Sequence, residues 1–553
     1  MSDSKYPKGL FFLVFTEFWE RFGYYLMIGI FTLYMTADES KGGFGWDNAK
    51  SADVYGTFIA LAFLTPFMGG LIADLKLGYR LSITLGGIFM GIGYCLLAVR
   101  SEATFYTALG IMVIGNGFFK PNISALLGNL FNDPRYSHKK DTGYNIFYMG
   151  INLGAFVCTF IAALMRNKIG WGAAFISAGV GMFIGVITFW VGMKHYRHVD
   201  VRKEPNPEDK ALLLKFARIM LVGVLFAAAG WILPDKLWGS ENELYTIMGS
   251  QSTDAFFMFC IPVVYFYGVV YFKSSTEERK PLGTMFTIFI IVVLFWAIFK
   301  QNGSALTNYA EYYTDREVPA MIGNATSKIG FSDAVEAKSK LVNQVDEQFR
   351  KIKDSNGANV KCMDYPAYYK NLDVEKYPEP GGKLNLLNTE IFQSINPFFV
   401  VAFTPILIAF FAFMRRRGKE PTTASKIALG LLVSTLSTLV MVGAAYYTNN
   451  GATKASPWWL ISAYGVITIG ELLLSPMGLS MVSKLSPVRL TALMMGGWYL
   501  ATSIGNKLSG VLAKNWDRFD NKANYFLLNF VLLLIAFVIM MLLLKRLNRV
   551  FKV

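Results

Sequence analysis

Fourteen apolar runs, centred near residues 23, 63, 90, 116, 155, 183, 222, 263, 293, 404, 436, 471, 500 and 535, dominate this chain. Each is long enough to match the ~20 residues that carry an α-helix across a bilayer. Nothing else in the sequence restricts the fold as tightly. Backbone N–H and C=O groups in hydrocarbon must be satisfied within the spanning element, so long runs predict helices. A β-barrel needs short alternating segments, which these are not. Composition agrees: 54% of the 553 residues are hydrophobic and 16% charged, where a soluble domain carries about a quarter charged residues. The expectation is an all-α membrane protein with little chain left for a soluble domain.

Lys and Arg gather in alternate connections. One set holds Lys76 and Arg80, then Arg135, Lys139 and Lys140, then Lys194, Arg197, Arg202 and Lys203. It continues with Lys273, Arg279 and Lys280, then Arg415, Arg416, Arg417 and Lys419, and ends with Lys545, Arg546, Arg549 and Lys552. The other connections are poorer, with Arg100, Lys236 and Lys454 each nearly alone. The positive-inside rule then places both termini in the cytoplasm, as a multi-pass protein of the plasma (inner) membrane, with an even number of spans. The net charge of +15 is mostly this bias, so no nucleic-acid partner is expected. The first run carries three charges and lacks a small-residue cleavage site, unlike a signal peptide. Cys95, Cys158 and Cys260 lie in apolar runs and Cys362 in a long connection, without metal-ligand spacing. No metal and no organic cofactor are expected.

The runs group as six, two and six. Residues 1–200 read as a six-helix bundle, 201–281 as a linker and inserted helical hairpin, and 282–303 as the first helix of a second bundle. Residues 304–391 form a polar loop on the outer side, and 392–553 complete the second bundle. Paired six-helix halves place a substrate near the midplane between them. In the loop, Val335, Leu341, Val342, Val345, Phe349 and Ile352 predict an amphipathic helix, and Tyr377 to Gly382 a turn. The loop serves either as a cap or spacer on the rim or as a module that contacts another protein.

Charges inside the runs are the candidate chemistry. Glu17, Glu20 and Arg21, with Tyr24 and Tyr25, fall on one face of the first helix. Each charge at the bilayer centre costs ~2.5–3.5 kcal/mol on insertion scales, so such a stripe marks a pathway. Lys120 lies some fifteen residues from Arg135, about 22 Å of helix, too deep to favour snorkelling. Glu17 and Glu20 are its natural partners. Asn152 either bonds a neighbouring helix or meets substrate. Glu471 is either a site acid or a protonated carboxyl in an interhelical bond. Asp74, at the end of the second run, and Arg80 just beyond it form a candidate charge latch.

These motifs carry a resemblance. Gly69 to Arg80 resembles the loop signature of the major facilitator superfamily. Glu17 to Tyr25 resembles the Glu-x-x-Glu-Arg-Phe-x-Tyr-Tyr motif of the proton-coupled oligopeptide transporters. Phe147 to Gly154 resembles that family's Phe-Tyr-x-x-Ile-Asn-x-Gly motif, and Gly470 to Ser480 its Glu-Leu-x-x-Ser-Pro-x-Gly-x-Ser segment. Bacterial members also insert a hairpin between the bundles, giving fourteen spans. The resemblance implies a proton-coupled symporter that imports di- and tripeptides by alternating access, with protons as the coupling ion. It implies that Glu17, Glu20, Arg21 and Lys120 couple protons. It implies that Tyr24, Tyr25, Lys120, Asn152, Trp296, Asn396, Glu471, Trp498 and Thr502 line the substrate site.

Three departures stand out. Ile28 occupies a position where many members carry arginine, Lys300 one where many carry glutamate, and Phe63 that of a cavity tyrosine. The arginine–glutamate pair that those members form across the bundle interface cannot form here. Lys300 either binds the substrate carboxylate or pairs with an acid of the first helix; its alternative is a rim lysine that snorkels outward. The departures keep open a same-fold transporter of modified peptides, anions or drugs with atypical gating. No nucleophile–base arrangement or nucleotide loop points to an enzyme.

Overall fold

The structure is a computed structural model that describes residues 6–136, 140–200, 207–240, 244–355, 357–379, 381–487 and 490–551. The first half comprises α1 (Lys8–Thr36), α2 (Asn48–Ile72), α3 (Tyr79–Leu97), α4 (Glu102–Leu130), α5 (Lys140–Lys168) and α6 (Trp171–Gly192). A hairpin of α7 (Pro207–Trp238) and α8 (Gln251–Lys273) follows, then α9 (Thr276–Phe299), short α10 (Ala305–Tyr312) and short α11 (Ala320–Lys328). The second half is completed by α12 (Ile395–Arg416), α13 (Thr423–Tyr447), α14 (Pro457–Leu485), α15 (Thr491–Lys514) and α16 (Lys522–Phe551). Every apolar run of the sequence falls on one long helix. Among the described residues, eleven of these helices are apolar enough to cross a membrane by composition as well as length. The remaining three are α1, α4 and α15; their charged residues include Glu17, Glu20 and Arg21, Lys120, and Lys507 respectively.

Local chemistry sets the helix starts. Asp47 caps α2 by accepting the Lys50 N–H (2.6 Å), Ser250 caps α8, and Ser275 with Glu278 forms a capping box on α9. Small residues set the packing. A Cβ at Gly154 of α5 would lie 2.5 Å from Phe18 O of α1, so α5 rides directly on the charged turn. In the first half α1 packs on α5 and α6, and α3 on α4 and α6; in the second, α13 packs on α14 and α16, and α9 on α15 and α16. The halves meet along α2 and α15. There a Cβ on Gly56 would sit 2.7 Å from Gly510 Cα, an approach only glycine permits.

The connection between α9 and α12 corrects the sequence reading. A 3₁₀ turn, Lys300–Gly303, carries α9 into α10, and another, Thr389–Ser394, leads into α12. Between α10 and the second 3₁₀ turn lies a module of residues 313–388 that holds α11 and four strands. The predicted amphipathic helix over Val335 to Ile352 is absent. Strand β1 (Ser332–Glu336) pairs antiparallel with β4 (Lys383–Leu387), and β2 (Lys340–Asn343) with β3 (Lys361–Asp364). Val335 and Val342 are β-branched and find partners far along the chain, Leu384 and Cys362, which local periodicity cannot show. The presumed apolar face does not exist: Leu341 is 62% exposed and Phe349 3%. Near the end of the module the expected turn forms, with Gly381 at φ +85° and Gly382 N–H donating to Glu379 O (2.7 Å); Pro380 lies outside the described residues.

Candidate functional site

Three buried charges sit on consecutive turns of α1. Arg21 is clamped to Glu20 through two bonds, Nε to Oε2 and Nη2 to Oε1 (2.5 Å). Its Nε also faces Glu17 Oε1 at 3.3 Å, one helical turn away. The guanidinium lies over the Tyr24 ring at 5.1 Å. Glu17 Oε2 is buried without a hydrogen-bond partner. One arginine thus serves two carboxylates, and one carboxylate oxygen is left to accept a proton.

The two deep lysines converge on one aromatic ring. Lys120 Nζ of α4 lies 3.7 Å from the centre of Phe63, and Lys300 Nζ 5.3 Å from the same ring. Lys300 also faces Trp296 (5.7 Å) and Phe299 (5.5 Å). Neither ammonium has a carboxylate within 4.0 Å among the described residues. Cation–π contact is what holds them here. Lys120 lies in the field of Arg21, Glu20, Lys300 and Glu17, and Lys300 in that of Glu471 and Arg21, with no carboxylate in direct contact.

Glu471 of α14 accepts a bond from Asn396 Nδ2 of α12 (3.0 Å), which also donates to Thr468 (2.8 Å). Between the two halves, beside Asn396 and the tyrosines of α1, lies a cleft with about 480 Å³ of space not filled by atoms, open solvent included. Tyr24, Tyr25 and Ile28 of α1 and Tyr55 and Ile59 of α2 form one wall; Lys300, Asn302, Gln393, Asn396 and Pro397 form the other. The 3₁₀ turn at 300–303 brings main-chain oxygens to the first half: Lys300 O accepts from Tyr55 Oη (3.3 Å) and Gly303 O from Thr32 Oγ1 (2.5 Å). Broken helices are tolerated at membrane depth where they line such a cavity.

Other expected residues stand elsewhere in this conformation. Asn152 donates to Tyr148 O of its own helix (2.8 Å). Of the two expected tryptophans, Trp296 is buried beside Phe295 and Phe299, and its Nε1 has no hydrogen-bond partner. Trp498 is 3% exposed in the core of the second half, against Phe289 (6.0 Å), and Thr502 bonds Trp498 O (3.0 Å). Arg80 pairs with Asp200 beyond α6 (2.5 Å); the side chain of Asp74 lies outside the described residues.

One network escaped the sequence reading. Asp53 of α2 receives Lys507 Nζ of α15 (2.8 Å), Ser250 Oγ (2.8 Å), Thr253 Oγ1 (3.1 Å) and Ser252 Oγ (2.5 Å). Lys507 also donates to Thr57 (2.6 Å). This joins both halves and the hairpin. Its signal is the same as that of Glu17: charges inside helices that are otherwise apolar.

The sequence profile of the POT family matches residues 80–325 and 382–533. The uncharacterized transporter YclF of Bacillus subtilis strain 168 is 29% identical over 519 residues, covering 93% of this chain and 89% of the relative. A di-/tripeptide transporter of Lactococcus lactis subsp. lactis strain IL1403 is 28% identical, covering 91% of this chain and 88% of its own. A crystal structure of a peptide transporter POT in complex with sulfate superposes with a TM-score of 0.75 at 27% identity, covering 100% of this chain and 97% of that one. With the match spanning most of the chain and the buried charges in place, the protein belongs to the POT family of multi-pass membrane transporters.

Proposed function

We propose that this protein imports di- and tripeptides by proton-driven symport across the inner membrane, with its termini in the cytoplasm and the 313–388 module outside. The observation that carries the reading is the cavity between the halves, with the Glu17–Glu20–Arg21 cluster beside one wall and Asn396–Glu471 beside the other. A zwitterionic peptide needs an anion for its amine, a cation for its carboxylate and amides between. Glu471, the lysines and Asn396 supply these groups. Protonating Glu17 or Glu20 releases part of Arg21's charge, which changes the relative energy of the inward- and outward-open arrangements. Relatives named as di-/tripeptide transporters support the substrate class.

The lysines favour a narrower reading. Once Glu17 takes up the coupling proton, Glu20 and Arg21 cancel and Lys120 and Lys300 face Glu471 alone. A substrate with one amine and two carboxylates balances that count, so acidic dipeptides are preferred.

Peptide-dependent acidification of proteoliposomes tests the proposal. Wild type acidifies with dialanine, and Glu20→Gln does not. Peptide uptake that ignores a pH gradient rejects proton coupling, and failure of every peptide in a panel to displace labelled dialanine rejects the substrate class.

A further inference from the structure

The module rides on the second half. Asp315 N–H donates to Ala455 O (2.8 Å) and Ala455 N–H to Tyr313 O (2.7 Å), and Asn371 Nδ2 donates to Gly451 O (3.0 Å). It meets the first half in two places. At the end of α5, Arg166 pairs with Asp333 (3.4 Å), Asn167 Nδ2 donates to Gly330 O (3.1 Å), Lys168 Nζ to Ser327 O (3.0 Å), and Phe160 faces Phe331 (5.1 Å). Across the ends of α1 and α2 the contacts are polar and centre on one turn. Val345 bridges Lys351, and at the tip Phe349 takes φ +60°, a left-handed conformation that is costly for a large side chain. The Phe349 ring is buried, stacked on Tyr312 (5.1 Å) and edge-on to Tyr313 (5.2 Å).

That peg aims three basic side chains in opposite directions. Arg350 donates to Asp517 O (3.0 Å) and pairs with Asp520 (2.9 Å), in the α15–α16 connection. Lys351 Nζ donates to Thr36 O at the end of α1 (2.6 Å) and to Trp46 O (3.3 Å). Lys353 pairs with Asp47, the cap of α2 (2.8 Å). Directly beneath, Asn48 Nδ2 donates to Asp517 (3.1 Å), one of the points where the halves touch. The turn lies between the two stretches that the family profile matches, so it stands outside the shared pattern.

We propose that residues 346–353 are a releasable clasp on the outer gate: held to the second half by Arg350 and the Phe349 ring, they must let go of Thr36, Trp46 and Asp47 before the ends of α1 and α2 part from the second half and the cavity opens outward, while the α5 contacts of the module are a separate attachment. The clasp rests on the alternating-access reading but not on the substrate. Polar, partly wet contacts suit a joint that is made and broken in every cycle, because their loss is compensated by water. An apolar seal of the same size would hold the gate more permanently.

The test uses Ile28→Cys on the cavity wall as a reporter, labelled in right-side-out vesicles by a membrane-impermeant maleimide and read by mass spectrometry. Adding Lys351→Met with Lys353→Gln raises the labelling rate several-fold. Salt at about 0.5 M, which screens exposed ion pairs, accelerates the parent but not the double variant. Separately, an Asp47→Cys/Lys353→Cys disulfide suppresses labelling until reductant is added. Equal labelling rates with and without the lysines, or full labelling of the cross-linked protein, overturns the clasp. If no peptide is transported, the labelling still reports on the gate, so the two readings fail separately.

Discussion

Replacing Lys300 with methionine removes the preference for acidic peptides and leaves the fold intact. Its ammonium contacts three aromatic rings and no carboxylate within 4.0 Å among the described residues, so the change breaks no direct ion pair, the usual source of large losses. Methionine keeps the ring contacts. At ~4 Å and an effective dielectric of about 20, a lysine and a substrate carboxylate attract by about 4 kcal/mol. After desolvation, a charge-assisted bond nets ~1.5–3 kcal/mol, roughly a 10- to 150-fold ratio in affinity. Displacement of labelled dialanine by Ala-Glu and by Ala-Ala, in wild type and Lys300→Met, reads that ratio directly. Wild type binds Ala-Glu more tightly, and the variant equalises the two mainly by weakening Ala-Glu. A ratio unchanged within about twofold, or equal weakening of both peptides, refutes the charge balance.

Three further outcomes are expected. Asp53→Asn leaves Lys507, whose side chain is 1% exposed, without its counter-charge; it lowers stability by ~3–5 kcal/mol, and an unshifted thermal midpoint in detergent contradicts this. Gly56→Ala places a methyl 2.7 Å from Gly510 Cα and wedges α2 from α15; outside labelling of Ile28→Cys accelerates, and an unchanged rate contradicts the wedge. Lys454, in the α13–α14 connection, is pushed down to about 7 by burial, with Arg316 repelling it further. Because its ordinary value is about 10.4, the unfolded chain holds the proton between the two values and the folded one does not. Stability therefore rises with pH from about 7 to 10, and Lys454→Met flattens that slope in thermal unfolding.

The deep charges were legible because they break a pattern. Glu17, Glu20 and Arg21 interrupt an apolar run, and the structure joins them as an i, i+4 and adjacent-residue cluster. Asn396 and Glu471 were legible only as separate motifs; their bond needs α12 and α14 side by side. Lys120 shows the limit of charge matching in one dimension. It lies near Glu17 and Glu20, yet its nitrogen rests on Phe63, since an aromatic face competes for an ammonium where water is scarce. Asp53 and Lys507 bore a readable signal, but sit near the ends of their runs, where charges are commonplace. Trp498 had no distinguishing mark, because an aromatic residue in an apolar run suits a cavity wall and a core equally. The module's strands were hidden because each half of a pair lies some twenty to fifty residues from the other.

The bonds that Ser250, Ser252 and Thr253 make with Asp53 give the hairpin a part in more than spacing. Most of the α7 and α8 surface is left uncovered by protein: 17% and 28% of their apolar stretches are buried. Apolar faces of this kind on spanning helices suit contact with lipid. A bilayer too thick or thin for these two helices is accommodated by tilt, and tilt at the start of α8 pulls on the oxygens that also hold Lys507. A change in the tilt of α8 would thereby reach the joint between the halves by a route that passes through neither the substrate nor the proton.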